Sequence, residues 1–381
     1  MRQTIALFID AYHELNAKKL FWITMIFSAG IAACFFFIGI NERGMQFLFW
    51  DVNLPGFNTR EMTPAAFYKL MFSFMGIRIY LGIAATAIAI ISTAGVFPDM
   101  IKEGAIDLLL SKPIGRLRLF LTRYATGLMF AFLQCLAFTT ICFFVIGFRG
   151  GVWEPGIFLA VPLFVLFFSY LFALSVFVGV ITRSTIVALL VTILLFALLI
   201  GLNSADGLVR GFHFQAEAVA RLQEDRVAIV DAMDESQRAE LEQMMRQRAG
   251  LDDTDDELTA EEVSYLREQV SIDALRREAE DSRASADSIG QIADLMYLIK
   301  WPLPKTGETL SLIERTIIRA ADLPPPDVEA VNSPFFEQDS ETVRETAEDL
   351  ERPIWWIVGT SLAFEFMLVG FAAWLFCRRD Y

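Results

Sequence analysis

Apolar residues are gathered into six long blocks, at 20–40, 79–97, 119–148, 157–181, 185–202 and 354–377. Each reaches or approaches the roughly 20 residues that a helix needs to cross a hydrocarbon core. Phe, Leu, Ile, Ala and Gly dominate them, as expected where each segment must satisfy its own backbone hydrogen bonds. The pattern predicts an all-α polytopic membrane protein with six transmembrane helices. Between the first two blocks, Thr63-Pro64 is a helix-start signal, and Phe67, Tyr68, Phe72 and Phe74 suit an interfacial helix over 63–75. Residues 203–352 are polar but periodic. Leu222, Val227, Ile229, Val230, Met233, Leu241 and Met244 mark the apolar face of a helix over 214–248. Gly250 and an acidic run end it. Thr259 to Glu262 is a capping box opening a second helix to about 281. A third is expected over 288–300, before Trp301-Pro302-Leu303-Pro304. Residues 99–110 read as a short amphipathic helix ended by Lys112-Pro113, with Arg116 and Arg118 as a basic collar before the third span.

Charge divides the chain in the same places. Residues 203–352 carry 35 Asp and Glu against 16 Lys and Arg, so the overall −14 is a −19 insert on a +5 remainder. Lys and Arg near helix ends are retained in the cytoplasm. Arg2, Lys18 and Lys19, then Lys102, Lys112, Arg116, Arg118 and Arg123, then Arg183, Arg378 and Arg379 all fall on one side if there are six spans. Both termini are therefore expected to be cytoplasmic. The insert, between helices five and six, is expected to be a helical extracytoplasmic body. Arg43, Arg60, Lys69 and Arg78 dissent in the first outer loop, diluted by Glu42, Asp51 and Glu61. The expected organisation is a membrane domain over 1–202 with a cytoplasmic segment at 98–118, the acidic insert at 203–352, and a last span with a basic tail at 353–381.

Candidate chemistry is sparse. Ile31-Ala32-Ala33-Cys34 has the look of a lipoprotein cleavage box. However, Phe35-Phe36-Phe37 continue the apolar run and Asp10 and Glu14 precede it, so the segment reads as a first spanning helix. The four cysteines lie in or beside spans and form no CxxC pair. The run Asp252-Asp253-Thr254-Asp255-Asp256-Glu257 fails as a calcium loop: from Asp253 the sixth position is Leu258 and the twelfth Ser264, where glycine and glutamate are needed. No GxxxxGK[ST] loop, HExxH pair or GxSxG elbow occurs, and the histidines are His13 and His213 alone. Gly82, Ala85, Thr86, Ala89, Ser92 and Gly95 in the second span suit close helix packing. Glu365 lies mid-span, where a carboxylate is costly and marks a functional-site hypothesis. It either pairs with a neighbouring helix through Gln134 or lines a pathway. Neither an enzyme nor a nucleic-acid-binding surface is legible, and no bound cofactor is expected.

The stretch GVFPDMIKEGAIDLLLSKPIGRLRLFLTRYATGL resembles the loop between the second and third helices of ABC-2 type transporter permeases. There an acidic residue, a glycine, a leucine pair and a Ser/Lys-Pro-x-x-Arg ending recur. Glu103, Gly104, Leu108, Leu109, Ser111, Lys112, Pro113 and Arg116 match, and Asp107 lies among them. DAYHELNAKKLFWI resembles the family's N-terminal interface helix, and FCRRDY its ending. The resemblance covers 1–203 and 353–381, and the long insert departs from it. It implies a permease subunit of the inner or plasma membrane, gripped at 98–118 by a separate ABC-type ATPase that binds the ATP. A second copy or a homologous permease would complete the pore, and the insert would face any extracytoplasmic partner. Two other readings stay open: a membrane-anchored scaffold acting through its insert, and a proton-coupled secondary transporter using Glu365.

Overall fold

The computed structural model describes residues 19–42, 44–48, 50–52, 59, 63–102, 115–248, 271–320 and 353–378. The chain divides into two compact units. One comprises Met1–Asn203, Pro302–Pro325 and Pro353–Tyr381; the other comprises Ser204–Trp301 and Pro326–Arg352.

In the first unit, helix α1 (Lys19–Cys34) begins the expected 20–40 span but does not complete it. One 3₁₀ turn follows at Phe35–Phe37, and the chain then turns into strand β1 (Ile38–Asn41). Strand β1 pairs antiparallel with β2 (Gly44–Phe47), and β2 with β3 (Trp50–Val52), so a small sheet interrupts the expected all-α pattern. The physical cause lies in neighbouring side chains. Tyr68 donates from Oη to the Ile38 carbonyl at 2.7 Å, and Arg149 Nε donates to Tyr68 Oη at 3.0 Å. The Arg149 guanidinium also crowds Gly39, where a Cβ would stand 2.6 Å from Nη2.

Among the described residues, five helical runs are long and apolar enough to cross a membrane: Pro64–Ile101, Arg116–Gly150, Pro155–Thr182, Thr185–Asp231 and Ile354–Arg378. The first block contributes only the shorter apolar helix Phe21–Phe37. Helix α2 (Pro64–Met71) starts where expected, with Thr63 Oγ1 accepting the Ala66 N–H at 3.3 Å. It does not stop as a separate interfacial helix. A wide-turn stretch, Phe72–Ala85, carries it into α3 (Thr86–Thr93). Gly76 and Gly82 fail to break the run because an apolar surround offers released backbone groups no other partner. The short helix α4 (Pro98–Lys102) follows.

Helix α6 (Ala160–Thr182) forms the centre of this unit. Helices α5 (Arg116–Val145), α10 (Thr306–Ala320) and α11 (Ile354–Arg378) pack on it. Phe164, Phe167, Phe168, Phe172 and Val176 of α6 are all buried there. Helix α10 lies inside the range expected to form the outer insert, yet it belongs to the apolar unit. Asn203 Nδ2 donates to Thr306 Oγ1 at 2.9 Å, and the Lys305 N–H to Ser361 Oγ on α11 at 2.9 Å. Its buried positions include Thr306, Glu308 and Thr309 beside Leu312 and Ile313, which is why no apolar block announces it.

The second unit is an antiparallel hairpin. Helix α7 (Thr185–Asp231) enters it after Asn203 as one continuous helix, so the fifth span and the first insert helix are not separate elements. It pairs with α9 (Ile272–Lys300), which likewise joins the second and third expected insert helices. Lys300 meets Asp206 at 2.8 Å, Arg283 meets Glu217 at 3.0 Å, and Arg276 meets Asp231 at 2.6 Å. Gln223 Nε2 donates to Glu278 Oε1 at 3.1 Å. Buried Ala218, Ala279 and Ala286 let the helices approach closely. Ser271 caps α9, its Oγ accepting the Ala274 N–H at 3.1 Å. The Thr259–Glu262 capping box and the acidic run fall outside the described residues.

The helix expected over 214–248 is broken at 232–234, and Asp234 explains the restart as α8 (Glu235–Arg248). Its Oδ1 accepts the Gln237 N–H at 2.8 Å, and its own N–H donates to Gln237 Oε1 at 3.1 Å, a reciprocal cap. The Ser236 hydroxyl, then the Gln237 amide, hold the Asp234 carboxyl below the usual carboxylate range. Because the folded value is depressed, this stabilisation is complete at neutral pH. It is lost as pH falls from about 3.9, the ordinary aspartate value, through the folded one. Asp234→Ala should speed hydrogen exchange of the first-turn amides of α8 at pH 7, and acidification should erase the difference. Equal exchange in both proteins at pH 7 would remove the cap from this account.

Candidate functional site

Two clusters in the apolar unit combine residues far apart in the chain. The first holds the residues on either side of 103–114. At its front end, Pro98 opens α4 at a position where its missing N–H costs nothing. Its ring lies against Gly179 near the end of α6, where a Cβ would stand 3.0 Å from Pro98 Cγ. Asp99 Oδ1 accepts a hydrogen bond from Thr185 Oγ1, at the first residue of α7, at 2.8 Å. At the rear end, Arg116 Nη1 donates to the Cys377 carbonyl at 3.2 Å, a cation placed at the C-terminal turn of α11. Three buried rings close the space between. Phe97 lies 4.9 Å from Phe120 and 6.4 Å from Phe376, and Phe120 lies 5.7 Å from Phe376.

The residues flanking 103–114 are thus fastened to helix termini, Pro98 and Asp99 to the end of α6 and the start of α7, and Arg116 to the end of α11. Of the residues expected in the coupling segment, Arg116 is described and takes part. Glu103, Gly104, Asp107, Leu108, Leu109, Ser111, Lys112 and Pro113 lie outside the described residues. Asp99, Gly179, Thr185 and the three phenylalanines escape a reading of the sequence. Their only local signal is a Pro-Asp pair directly after an apolar block.

The second cluster surrounds Glu365 on α11. Tyr124 of α5 donates from Oη to Oε1 at 2.7 Å, and Ser169 Oγ of α6 lies 2.6 Å from Oε2. The Ser169 hydroxyl also lies 2.8 Å from the Leu166 carbonyl. One hydroxyl proton therefore has two acceptors. With Glu365 ionised, Ser169 can give it to the carboxylate; with Glu365 protonated, Ser169 can give it to Leu166 and accept one from the carboxyl. Tyr124 stacks on Phe172 at 5.2 Å between centroids, and Gly127 leaves the space that the Phe172 ring fills. One helical turn before Glu365, Ser361 faces Tyr170 together with Thr309. The buried Tyr170 hydroxyl makes no hydrogen bond among the described residues.

The expected pairing of Glu365 through Gln134 is not what the structure contains. Gln134 is buried elsewhere, with Nε2 donating to the Ala85 carbonyl at 3.4 Å where the wide-turn stretch ends. Among the described residues, no group of three or more His, Cys, Asp or Glu side chains could hold a metal ion. The Glu365 cluster is a polar tie between three helices, in which the Ser169 hydroxyl can turn to either of two acceptors.

Glu365→Gln replaces one acceptor oxygen with a donor, so Ser169 must turn its proton to the Leu166 carbonyl and Tyr124 donates to an amide oxygen in place of a carboxyl oxygen. It should lower stability by about 0.5–1.5 kcal/mol, read as thermal unfolding in detergent. Ser169→Ala should cost less, because Tyr124 still reaches Oε1. Glu365→Gln combined with Tyr124→Phe should be non-additive by about 0.5–3 kcal/mol, since the two groups touch. Strict additivity would mean that the tie contributes nothing as a unit.

Compared with known families, curated proteins and solved structures, the chain matches none, so its function is argued from this geometry and from the residues themselves.

Proposed function

We propose that the chain is the membrane subunit of an ATP-driven transporter of the ABC-2 type, an exporter worked by a separate ATPase subunit. The resemblance at Glu103 to Arg116 supplies the family. The observation that supports the mechanism is the fastening of the residues flanking 103–114 to three helix termini. A partner that grips residues 103–114 and closes on ATP would press through Pro98 and Asp99 on α6 and α7, and through Arg116 and the phenylalanines on α11. Rings packed at interior density pass displacement on rather than absorb it. Glu103 is the residue proposed to pair with a basic group on the ATPase, and Leu108 and Leu109 to fill its apolar seat. ATP and its hydrolysis belong to that partner. A second copy, or a homologous permease, would complete the pathway, in the inner or plasma membrane.

The alternative of proton-coupled transport draws on one observation, the placement of the Ser169 hydroxyl within hydrogen-bond reach of both Glu365 Oε2 and the Leu166 carbonyl. The two readings separate on energy source. Export that survives ATP depletion but stops when the proton gradient collapses would favour the second.

The test of the first is a variant series on the co-purified complex. Exposed ion pairs contribute about 0–1 kcal/mol, and truncating a buried interfacial one costs roughly 2–5 kcal/mol. Glu103→Lys should therefore release more ATPase than Glu103→Ala, with the thermal stability of the membrane subunit unchanged. Asp99→Ala leaves the gripped surface intact, so the ATPase should remain bound while substrate-stimulated hydrolysis falls several-fold. Full coupling in all three variants, or failure of any ATPase to co-purify with the native chain, would defeat the proposal.

A further inference from the structure

The hairpin unit is charged along most of its length but not at its foot. Between Phe212 and the end of α7, and from the start of α9 to Ile292, Ile229 is the one large apolar side chain exposed among the described residues. At the foot the pattern inverts. Leu208 and Phe212 on α7 are 65% and 61% exposed, while Ile292, Leu295, Leu298 and Trp301 at the end of α9 are 52%, 56%, 67% and 61% exposed. The spacings 208/212 and 292/295/298 put each set on one stripe of its helix. The two stripes lie at one level of the hairpin, since Asp206 meets Lys300 and a Cβ on Gly290 would stand 3.0 Å from His213.

Of the charges in the same stretch, Asp206 and Lys300 are turned inward and Asp294 is exposed. Asp206 and Lys300 are both buried, 2.8 Å apart, and Arg210 reaches the same carboxylate oxygen at 3.0 Å. The foot therefore offers an apolar outer face over an internally neutralised core, the reverse of a water-facing helix pair.

We propose that this foot is seated in the headgroup layer of the bilayer, so that phospholipid covers its apolar stripes. Continuity along one helix carries the argument. Helix α7 holds an apolar window long enough to span a membrane, and that block ends at about residue 202. At about 1.5 Å per residue, Leu208 and Phe212 follow Asn203 by about 7 and 13 Å of the same helix. A bilayer is about 30 Å of hydrocarbon within 40–45 Å overall, so an interfacial layer of about 5–8 Å awaits the chain on leaving the core. Leu208 falls within it, and Phe212, about one turn beyond it, directs its ring back toward the N-terminal end of the helix and so toward the layer. Trp301 stands immediately before Pro302, where the chain rejoins the apolar unit. Tryptophan is enriched at headgroup depth because its ring is apolar and its N–H is not. The proposal does not depend on the transporter reading.

The test uses the full chain in vesicles of phosphatidylcholine and phosphatidylglycerol. A photoreactive benzoylphenylalanine is placed in turn at Leu208, Phe212, Leu295 and Leu298, and at Ile229 as the comparison. The foot positions should give lipid adducts by mass, and Ile229 none. Brominated lipids should quench a fluorescence component that Trp301→Phe removes, which needs no photoreactive residue. Adducts between two copies of the chain at the foot would show that protein covers the stripes and overturn the proposal. Equal lipid labelling at Ile229, or an unquenched Trp301, would overturn it as well.

Discussion

Among the long apolar runs, the one holding helix α6 is the most buried, and the rest of the apolar unit is arranged around it. A helix with one apolar stripe finds its rotation by turning that stripe inward. An all-apolar helix has no such guide, and in lipid the usual hydrophobic drive between helices is absent, so small residues and polar contacts decide. On α6 these are few and specific. Gly179 admits the Pro98 ring, Ser169 reaches Glu365, and Phe172 fills the gap left by Gly127. Each points to a different neighbour. Together they fix both the rotation of α6 and the seats of α4, α5 and α11.

The features legible in the sequence are those set by burial over long windows. Five of the six apolar blocks lie in helices long enough to cross a membrane, and the helix start at Thr63-Pro64 is also real. The features that were not legible depend on partners distant in the chain. The end of α1 is set by Tyr68 and Arg149, which bind Ile38 and crowd Gly39 from residues 30 and 110 positions later. The membership of α10 in the apolar unit rests on Thr306 and Lys305 finding an amide and a hydroxyl partner, in a segment that composition reads as a solvated helix. The merging of α2 with the second block runs through the wide-turn stretch Phe72–Ala85, which no periodicity or composition announces.

The candidate site divides the same way. Glu365 stands out in any hydropathy trace because a carboxylate in an apolar run is costly, but Tyr124 and Ser169 do not, being ordinary polar members of their helices. Arg116 is visible from its place at a helix start; its acceptor, a backbone carbonyl 261 residues away, has no sequence signature. The acidity of the insert was clear at once, while its use in the hairpin was not. Arg276 and Arg283 each serve more than one carboxylate, so a few basic side chains bind two acidic helices together.

The Glu365 tie also constrains the order in which the chain is assembled. Ser169 and Tyr124 are made 196 and 241 residues before their acceptor. At about 5–20 residues per second, α5 and α6 wait on the order of 10–50 s for α11 to arrive. During that interval each hydroxyl has a substitute partner within its own pair of helices. Ser169 Oγ lies 2.8 Å from the Leu166 carbonyl, and Tyr124 Oη 3.4 Å from the Ser169 carbonyl. The nascent pair can therefore stay together without an unsatisfied donor. The last helix then completes the bundle by offering a better acceptor, so a ribosome that stalls within the insert leaves behind an incomplete but chemically quiet intermediate.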